Sequence, residues 1–223
     1  MKIYAINGSP RKNFNTAKLL QAFLDGAKST SENVETEMIN LYSLNFKGCT
    51  ECFACKRKNG KSYGKCAYPD DITQLLQDVS QADVIAFGSP IYFFDITGEL
   101  RCFLERLFYP YTAFKRGGDR VIAPRSIHTA FLYTMNVSEQ EMKISDYEQN
   151  LAATLGWTQH IFTYTPTTLY SCYTYQYDDY SKYVADLWDI EEKERQRKEQ
   201  FPIDLKNAFE LGKRLIEEAV SNN

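Results

Sequence analysis

The sequence predicts an α/β fold, a five-stranded parallel β-sheet with helices on both faces. Two observations predict it. Short apolar runs, each of the length of a buried strand, alternate along the chain with stretches whose apolar residues recur at helical spacing. The first such run ends at Asn7-Gly8 and leads directly toward a helix, the opening of a strand–turn–helix unit. Strands that alternate with helices imply right-handed crossovers and parallel pairing.

The elements follow in order. Residues 2–6 form a buried strand. From Thr16, the apolar positions Leu19, Leu20, Phe23, Leu24 and Ala27 make one helix face. Residues 34–39 alternate apolar with polar and read as a strand. A long loop with four cysteines follows, over 41–69. Asp70 or Asp71 can cap a helix carrying Ile72, Leu75, Leu76 and Val79. DVIAFG, at 83–88, is a second buried strand, and Leu100, Phe103, Leu104, Leu107 and Phe108 make another helical face. Residues 127–133 are a third buried strand, 139–155 a helix followed by Gly156, and 160–164 a fourth core strand. The run EEKERQRKEQ reads as a solvated helix face held by i,i+4 pairs, and a closing amphipathic helix carries Leu205, Ala208, Phe209, Leu215 and Ile216. With no internal repeat, residues 1–223 read as a single domain. It is elaborated by the cysteine loop at 47–69 and a Tyr-rich, then charged, C-terminal segment at 170–202.

Composition sets limits on function. The 223 residues are 43% hydrophobic and 25% charged, enough for a sizeable core. A formal net charge of -3 does not suggest the basic patch that nucleic-acid binding usually needs, so no nucleic-acid partner is expected. No stretch approaches the roughly 20 apolar residues of a membrane span, so no membrane association is expected. MKIYAINGSP is charged from its second residue and turns early, unlike a secretory leader. The expected compartment is the cytoplasm, where the six cysteines stay reduced and form no disulfide framework. Tyrosines cluster late, from Tyr164 to Tyr183. They read as ring packing of an irregular segment or as a wall over a flat ligand.

In parallel sheets ligands sit at the carboxyl ends of the strands. Three turns emerge there, after Ile6, Gly88 and Tyr133. The first, NGSPRKNFNT at 7–16, enters a helix N-terminus, where unpaired N–H groups and the helix dipole favour an anion. Ser9, Asn13, Asn15 and Thr16 offer neutral donors, and Arg11 adds a charged, forked one. The spacing fits neither an ATP-binding P-loop nor GxGxxG. A plain turn capped by Asn15 or Thr16 is the alternative. The second loop, SPIYFFDITGEL at 89–100, turns at Pro90 and offers apolar and aromatic side chains, with the next helix starting near Thr97. Such a loop gives a flat ring a wall, or simply packs as a buried aromatic loop.

Together GSPRKNFNT, the cysteine loop GCTECFACK at 48–56 and SPIYFFDITGELRCFLERL at 89–107 resemble the NAD(P)H-dependent FMN reductase family, over about the first 110 residues. The resemblance implies a flavodoxin-like sheet of order 2-1-3-4-5 that binds FMN noncovalently. It implies hydride transfer from NAD(P)H, through the flavin, to a small-molecule acceptor. Ser9, Arg11, Asn15 and Thr16 would hold the phosphate, and Pro90, Ile91, Tyr92 and Phe93 would line the isoalloxazine. Thr134, Met135 and Asn136 would face the ring from the third turn. Homodimers or homotetramers are expected. Phe14 and Phe94 stand where relatives often carry glycine, and the third turn lacks their glycine-rich sequence.

Cys49, Cys52, Cys55 and Cys66 read C-x2-C-x2-C-x10-C, typical ligand spacing for iron–sulfur or zinc. The iron–sulfur flavoproteins, close to the FMN reductases, carry a similar motif. Free thiols, a [4Fe–4S] cluster and a zinc ion all remain open on spacing. The basic insertion KRKNGKSYGK is expected to lower nearby thiol pKa values. Cys102 and Cys172 read as isolated thiols, and His128 and His160 as satisfied residues within strands. The alternatives to a reductase are an electron carrier with FMN and a cluster, and a non-catalytic nucleotide-binding protein or sensor.

Overall fold

The computed structural model describes residues 1–222. The strands are β1 (Lys2–Asn7), β2 (Glu35–Asn40), β3 (Val84–Pro90), β4 (His128–Thr134) and β5 (Thr167–Ser171). They form one parallel sheet in the order β2-β1-β3-β4-β5. The expected sheet order is therefore the observed one. Along β1 and β3 every central residue is buried, as befits strands covered on both faces.

The helices are α1 (Asn15–Lys28), α2 (Thr73–Val79), α3 (Gly98–Phe108), α4 (Glu139–Ile144), α5 (Tyr147–Phe162), α6 (Ile190–Arg195) and α7 (Phe201–Ser221). α1 and α7 cover one sheet face, where Leu19, Leu20 and Phe23 meet Leu211, Leu215 and Ile216. α2, α3 and α5 cover the other, around Leu76, Phe103, Phe131 and Phe162. α1 and α7 touch backbone to backbone. A Cβ at Gly26 would lie 1.9 Å from the Phe209 carbonyl oxygen, and one at Gly212 would lie 2.0 Å from that of Phe23.

Three expectations are corrected. Residues 160–162 are the last turn of α5, not a strand, and the fifth sheet strand is Thr167–Ser171. A short apolar run cannot be told from a buried helix segment by period alone. The helix expected over 139–155 breaks at Asp146, whose φ is 51°, then runs through Gly156 to Phe162. The run EEKERQRKEQ is helical, with an i,i+4 pair at 3.1 Å between Lys198 and Glu194. It is not wholly solvated, because Lys193 has no exposed surface. α6 joins α7 through a π-helical turn at Gln196–Gln200.

Among the described residues no helix is long and apolar enough to cross a membrane, and all six cysteines are free thiols.

Candidate functional site

The three turns converge at the carboxyl edge of β1, β3 and β4. The first is held from inside. Asn7, fully buried at the end of β1, accepts the Ser9 N–H at 3.1 Å through Oδ1 and donates to Asn40 at 2.8 Å. Gly8 donates its N–H to the Gly88 carbonyl at 2.8 Å. A Cβ at Gly8 would meet Leu100 Cβ at 2.9 Å, so the close approach of the first turn to α3 requires glycine. The Thr97 hydroxyl donates to the Gly8 carbonyl at 2.7 Å and caps α3 by accepting from Leu100. One threonine thus ties the first turn to the second.

Phe14 is the N-cap of α1, has φ of -110° and supplies no capping side chain. The first-turn N–H groups of α1 are left for an anion. The alternative, a turn capped by Asn15 or Thr16, is absent, since Asn15 is already the first helical residue. Phe14 instead stacks under Arg11, whose guanidinium lies 3.8 Å from the ring centroid. Arg11 donates to the Gln176 carbonyl at 2.5 Å, and Asn15 donates to the Tyr175 carbonyl at 2.8 Å.

The second turn is a two-residue hairpin. Tyr92 and Asp95 exchange backbone hydrogen bonds of 2.8 and 3.1 Å. Phe93 and Phe94 between them have φ of 50° and 68°. Arg101 pairs with Asp95 at 2.7 Å. The third turn is joined to the others by the Thr16–Thr134 hydroxyl pair at 2.8 Å and by the Ile91 N–H on the Thr134 carbonyl at 2.9 Å.

A cavity of about 250 Å³ lies between the turns. Ser9, Arg11, Asn15 and Thr16 border it from the first turn, Pro90, Ile91 and Tyr92 from the second, and Thr134, Met135 and Asn136 from the third. Asn13 and Phe93, expected there, lie outside its lining. Asn13 is exposed at the apex of its turn, and Phe93, 99% exposed, is at the tip of the hairpin. The sequence reading missed Thr174, Tyr175, Gln176 and Trp188, which border the cavity from the segment after β5. The late tyrosine cluster was the signal for part of this wall. Nothing in the sequence marked Trp188.

The four cysteines of the loop border a second, narrow cavity of about 20 Å³, together with Glu105 and Arg106 of α3. The two cavities share no lining residue. Arg106, 1% exposed, donates to Cys66 Sγ at 3.3 Å, to the carbonyls of Lys47 and Tyr68 at 3.2 and 3.1 Å, and to Asp70. Lys56 donates to the carbonyls of Pro110 at 3.1 Å and Thr112 at 2.5 Å. Burial pushes the Cys55 thiol up despite the adjacent Lys56, so the expected depression by the basic insertion does not hold there. Among the described residues no three His, Cys, Asp or Glu side chains converge as on one metal ion. The chemistry of the donor set, four thiols on one cavity with a guanidinium on one sulfur, fits an iron–sulfur cluster.

The remaining candidates, Cys172, His128 and His160, border neither cavity. Cys172 is pushed up to about 12 by burial. His128 stacks on Tyr164 at 3.9 Å, and burial lowers its pKa. His160 lies in the last turn of α5.

Comparisons with known proteins bear on the family and the fold. An iron–sulfur flavoprotein of Archaeoglobus fulgidus is 36% identical over 124 residues, 56% of this chain and 57% of that protein. One of Methanocaldococcus jannaschii is 35% identical over 106 residues, 48% of this chain and 51% of that protein. The chain thus spans about half the length of the curated relatives it matches. Among solved structures, the NAD(P)H:quinone oxidoreductase of Methanothermobacter marburgensis superposes with a TM-score of 0.64 at 17% identity, over 96% of each chain. An FMN-dependent NADH-azoreductase of Bacillus anthracis, in complex with FMN, superposes with a TM-score of 0.58 at 16% identity, over 99% of each chain. At such identity these two speak for the fold alone. The model of the family described as NADPH-dependent FMN reductase matches residues 1–155, and the chain belongs to that family.

Proposed function

We propose that the chain is a flavin-dependent oxidoreductase that binds FMN in the cavity between the three turns. The observation that carries this reading is the uncapped N-terminus of α1, with Ser9, Arg11, Asn15 and Thr16 around it and an apolar wall opposite. Bound there, FMN would supply hydride transfer from NAD(P)H to a small acceptor, as cofactors carry the chemistry that side chains cannot. The side chains bind and orient. The Arg11 fork and the Asn15 amide take the phosphate in exchange for two neutral carbonyls, and charge-assisted hydrogen bonds are roughly twice as strong. Pro90, Ile91 and Tyr92 hold one side of the ring, with Met135 and Asn136 on the third turn. The segment from Thr174 to Trp188 closes the cavity as a lid. The Tyr177 ring stacks on Tyr183 at 4.2 Å and packs edge-on to Tyr180 at 5.1 Å, which gives the lid its own small core. Anaerobic addition of NADPH to FMN-loaded protein should bleach the flavin absorbance. A yellow protein that does not bleach would refute the reductase reading.

A second reading is favoured by the shared cavity of the four cysteines: Cys49, Cys52, Cys55 and Cys66 would hold a [4Fe–4S] cluster, making the chain an electron carrier. Anaerobically purified protein should then contain about four iron and four sulfide per chain. Absence of iron, with flavin content unchanged in Cys52→Ala, would remove it. We place the protein in the cytoplasm as a homodimer or homotetramer, a reading supported by its free thiols and by the fully presented Phe93 ring. Sedimentation at micromolar concentration tests the assembly, and a monomer would contradict it.

A further inference from the structure

Lys193 lies in the charged run before α7, yet it has no exposed surface. A lysine carries three donors and no acceptor. Here all three are spent: on the Asn136 carbonyl at 2.9 Å, on the Asn136 side-chain oxygen, and on the Thr174 carbonyl at 3.4 Å. Its ammonium lies 3.6 Å from the Tyr173 ring centroid and 5.9 Å from that of Trp188. Among the described residues it makes no salt bridge. A buried ammonium held only by neutral oxygens and aromatic faces is costly unless the geometry is good. The groups it joins are those around the candidate flavin cavity. Asn136 belongs to the third turn, Thr174 and Trp188 to the lid, and all three border the cavity. The Asn136 amide also donates to Gln176 Oε1 at 2.8 Å, so Lys193 and Gln176 grip one asparagine from two sides.

We propose that Lys193 is a positioning residue of the flavin site, a clasp that fixes the Asn136 turn against the lid before FMN enters. This rests on the FMN reading above. Backbone bonds tie Met135 and Val137 of the third turn to Ser171, Tyr173 and Thr174 at 2.7–3.1 Å, and Lys193 of α6 adds the side-chain hold on Asn136. Lys193 itself is not among the residues that border the cavity.

The clasp is also sensitive to pH. Burial pulls Lys193 down to about 8, opposed by Glu141 on α4 and Glu192 on α6. Facing it from the residue just before the lid is Tyr173, whose phenol is pushed up by burial and stays neutral in this range. Trp188 and Asn136 carry no charge. Above pH 8 Lys193 becomes a neutral amine, with two N–H groups for three acceptors, and its bonds lose their charge assistance.

The test is the FMN dissociation constant of the full chain, from flavin fluorescence, between pH 6.5 and 9.5. Wild type should weaken about tenfold across pH 8, the loss of one charge-assisted bond. Lys193→Met should bind about tenfold or more weakly at pH 7 and show no step at pH 8. Lys193→Arg, charged throughout, should show no step either. Lys193→Met that binds as tightly as wild type at pH 7 would overturn the proposal. So would a step at pH 8 that survives in Lys193→Arg, a readout that stands even if the methionine variant fails to fold. A wild-type chain that binds FMN normally while the variants match it fails this inference alone. A wild-type chain that binds no FMN fails the underlying reading.

Discussion

Phe93 and Phe94 hold a two-residue hairpin whose both central positions have positive φ, the conformation that Asn-Gly ordinarily supplies. A left-handed residue other than glycine costs about 1–2 kcal/mol. Phe94 recovers part of this against Tyr147, at 4.8 Å between ring centroids, but Phe93 is 99% exposed and recovers nothing within the chain. Phe93→Asn should therefore raise stability to urea by about 1 kcal/mol. No gain would mean that the turn relaxes in solution. The strain was half legible. Phe94 could be flagged because the family resemblance implies glycine there, but Phe93 could not, and Phe14, flagged on the same ground, has an ordinary backbone and serves as a stacking platform for Arg11. That Arg11 and Asn15 border the cavity was legible, because polar donors cluster at the start of a helix after a sheet-edge turn. Arg11→Ala should weaken FMN binding by about 10- to 100-fold, the 1.5–3 kcal/mol of a hydrogen bond to a charged group. Arg11→Lys should fall between, since it keeps the charge and loses the fork.

Among the elements, α1 and α3 connect sequence to site. α1 is pressed on α7 through Gly26 and Gly212, each within 2.0 Å of a carbonyl oxygen once a Cβ is added. Neither carbonyl belongs to a flexible side chain, so the helices must part. Gly212→Ala should cost about 1–3 kcal/mol in chemical denaturation. Loss of FMN affinity in parallel would show that the seating of α1 sets the phosphate donors. α3 starts at Thr97, tied to the first turn, and carries Glu105 and Arg106 to the cysteine loop, where Glu105 accepts the Cys49 N–H at 3.1 Å. Arg106→Met would leave Asp70, 10% exposed, as an uncompensated buried charge, and should cost about 3–5 kcal/mol. A loss under 1 kcal/mol would contradict that assignment. The helical faces of α1 and α3 were legible because their apolar residues keep one period. β5 was not, because TTLYS at the sheet edge is only half-buried and lies beside the more apolar end of α5.

For the whole molecule, the order of strands brings three distant turns to one edge, and this was legible because strand–helix alternation leaves few topologies. The fourth wall was not. Tyr175, Gln176 and Trp188 come from an irregular segment whose path is set by long-range contacts, among them the bonds from Arg11 and Asn15 across more than 150 residues. Lys193 was read as solvated because a charged run with helical pairing gives no sign that one member turns inward. The central claim is that FMN sits between these turns with its phosphate on α1. Its most direct test is a visible-absorbance titration of the chain with FMN under anaerobic conditions, wild type beside the double variant Arg11→Ala, Asn15→Ala. The account predicts one FMN bound per wild-type chain and affinity lower by about 100-fold or more in the variant, the sum of two lost phosphate contacts. Equal affinity in the two proteins, or no flavin bound by wild type, would contradict it.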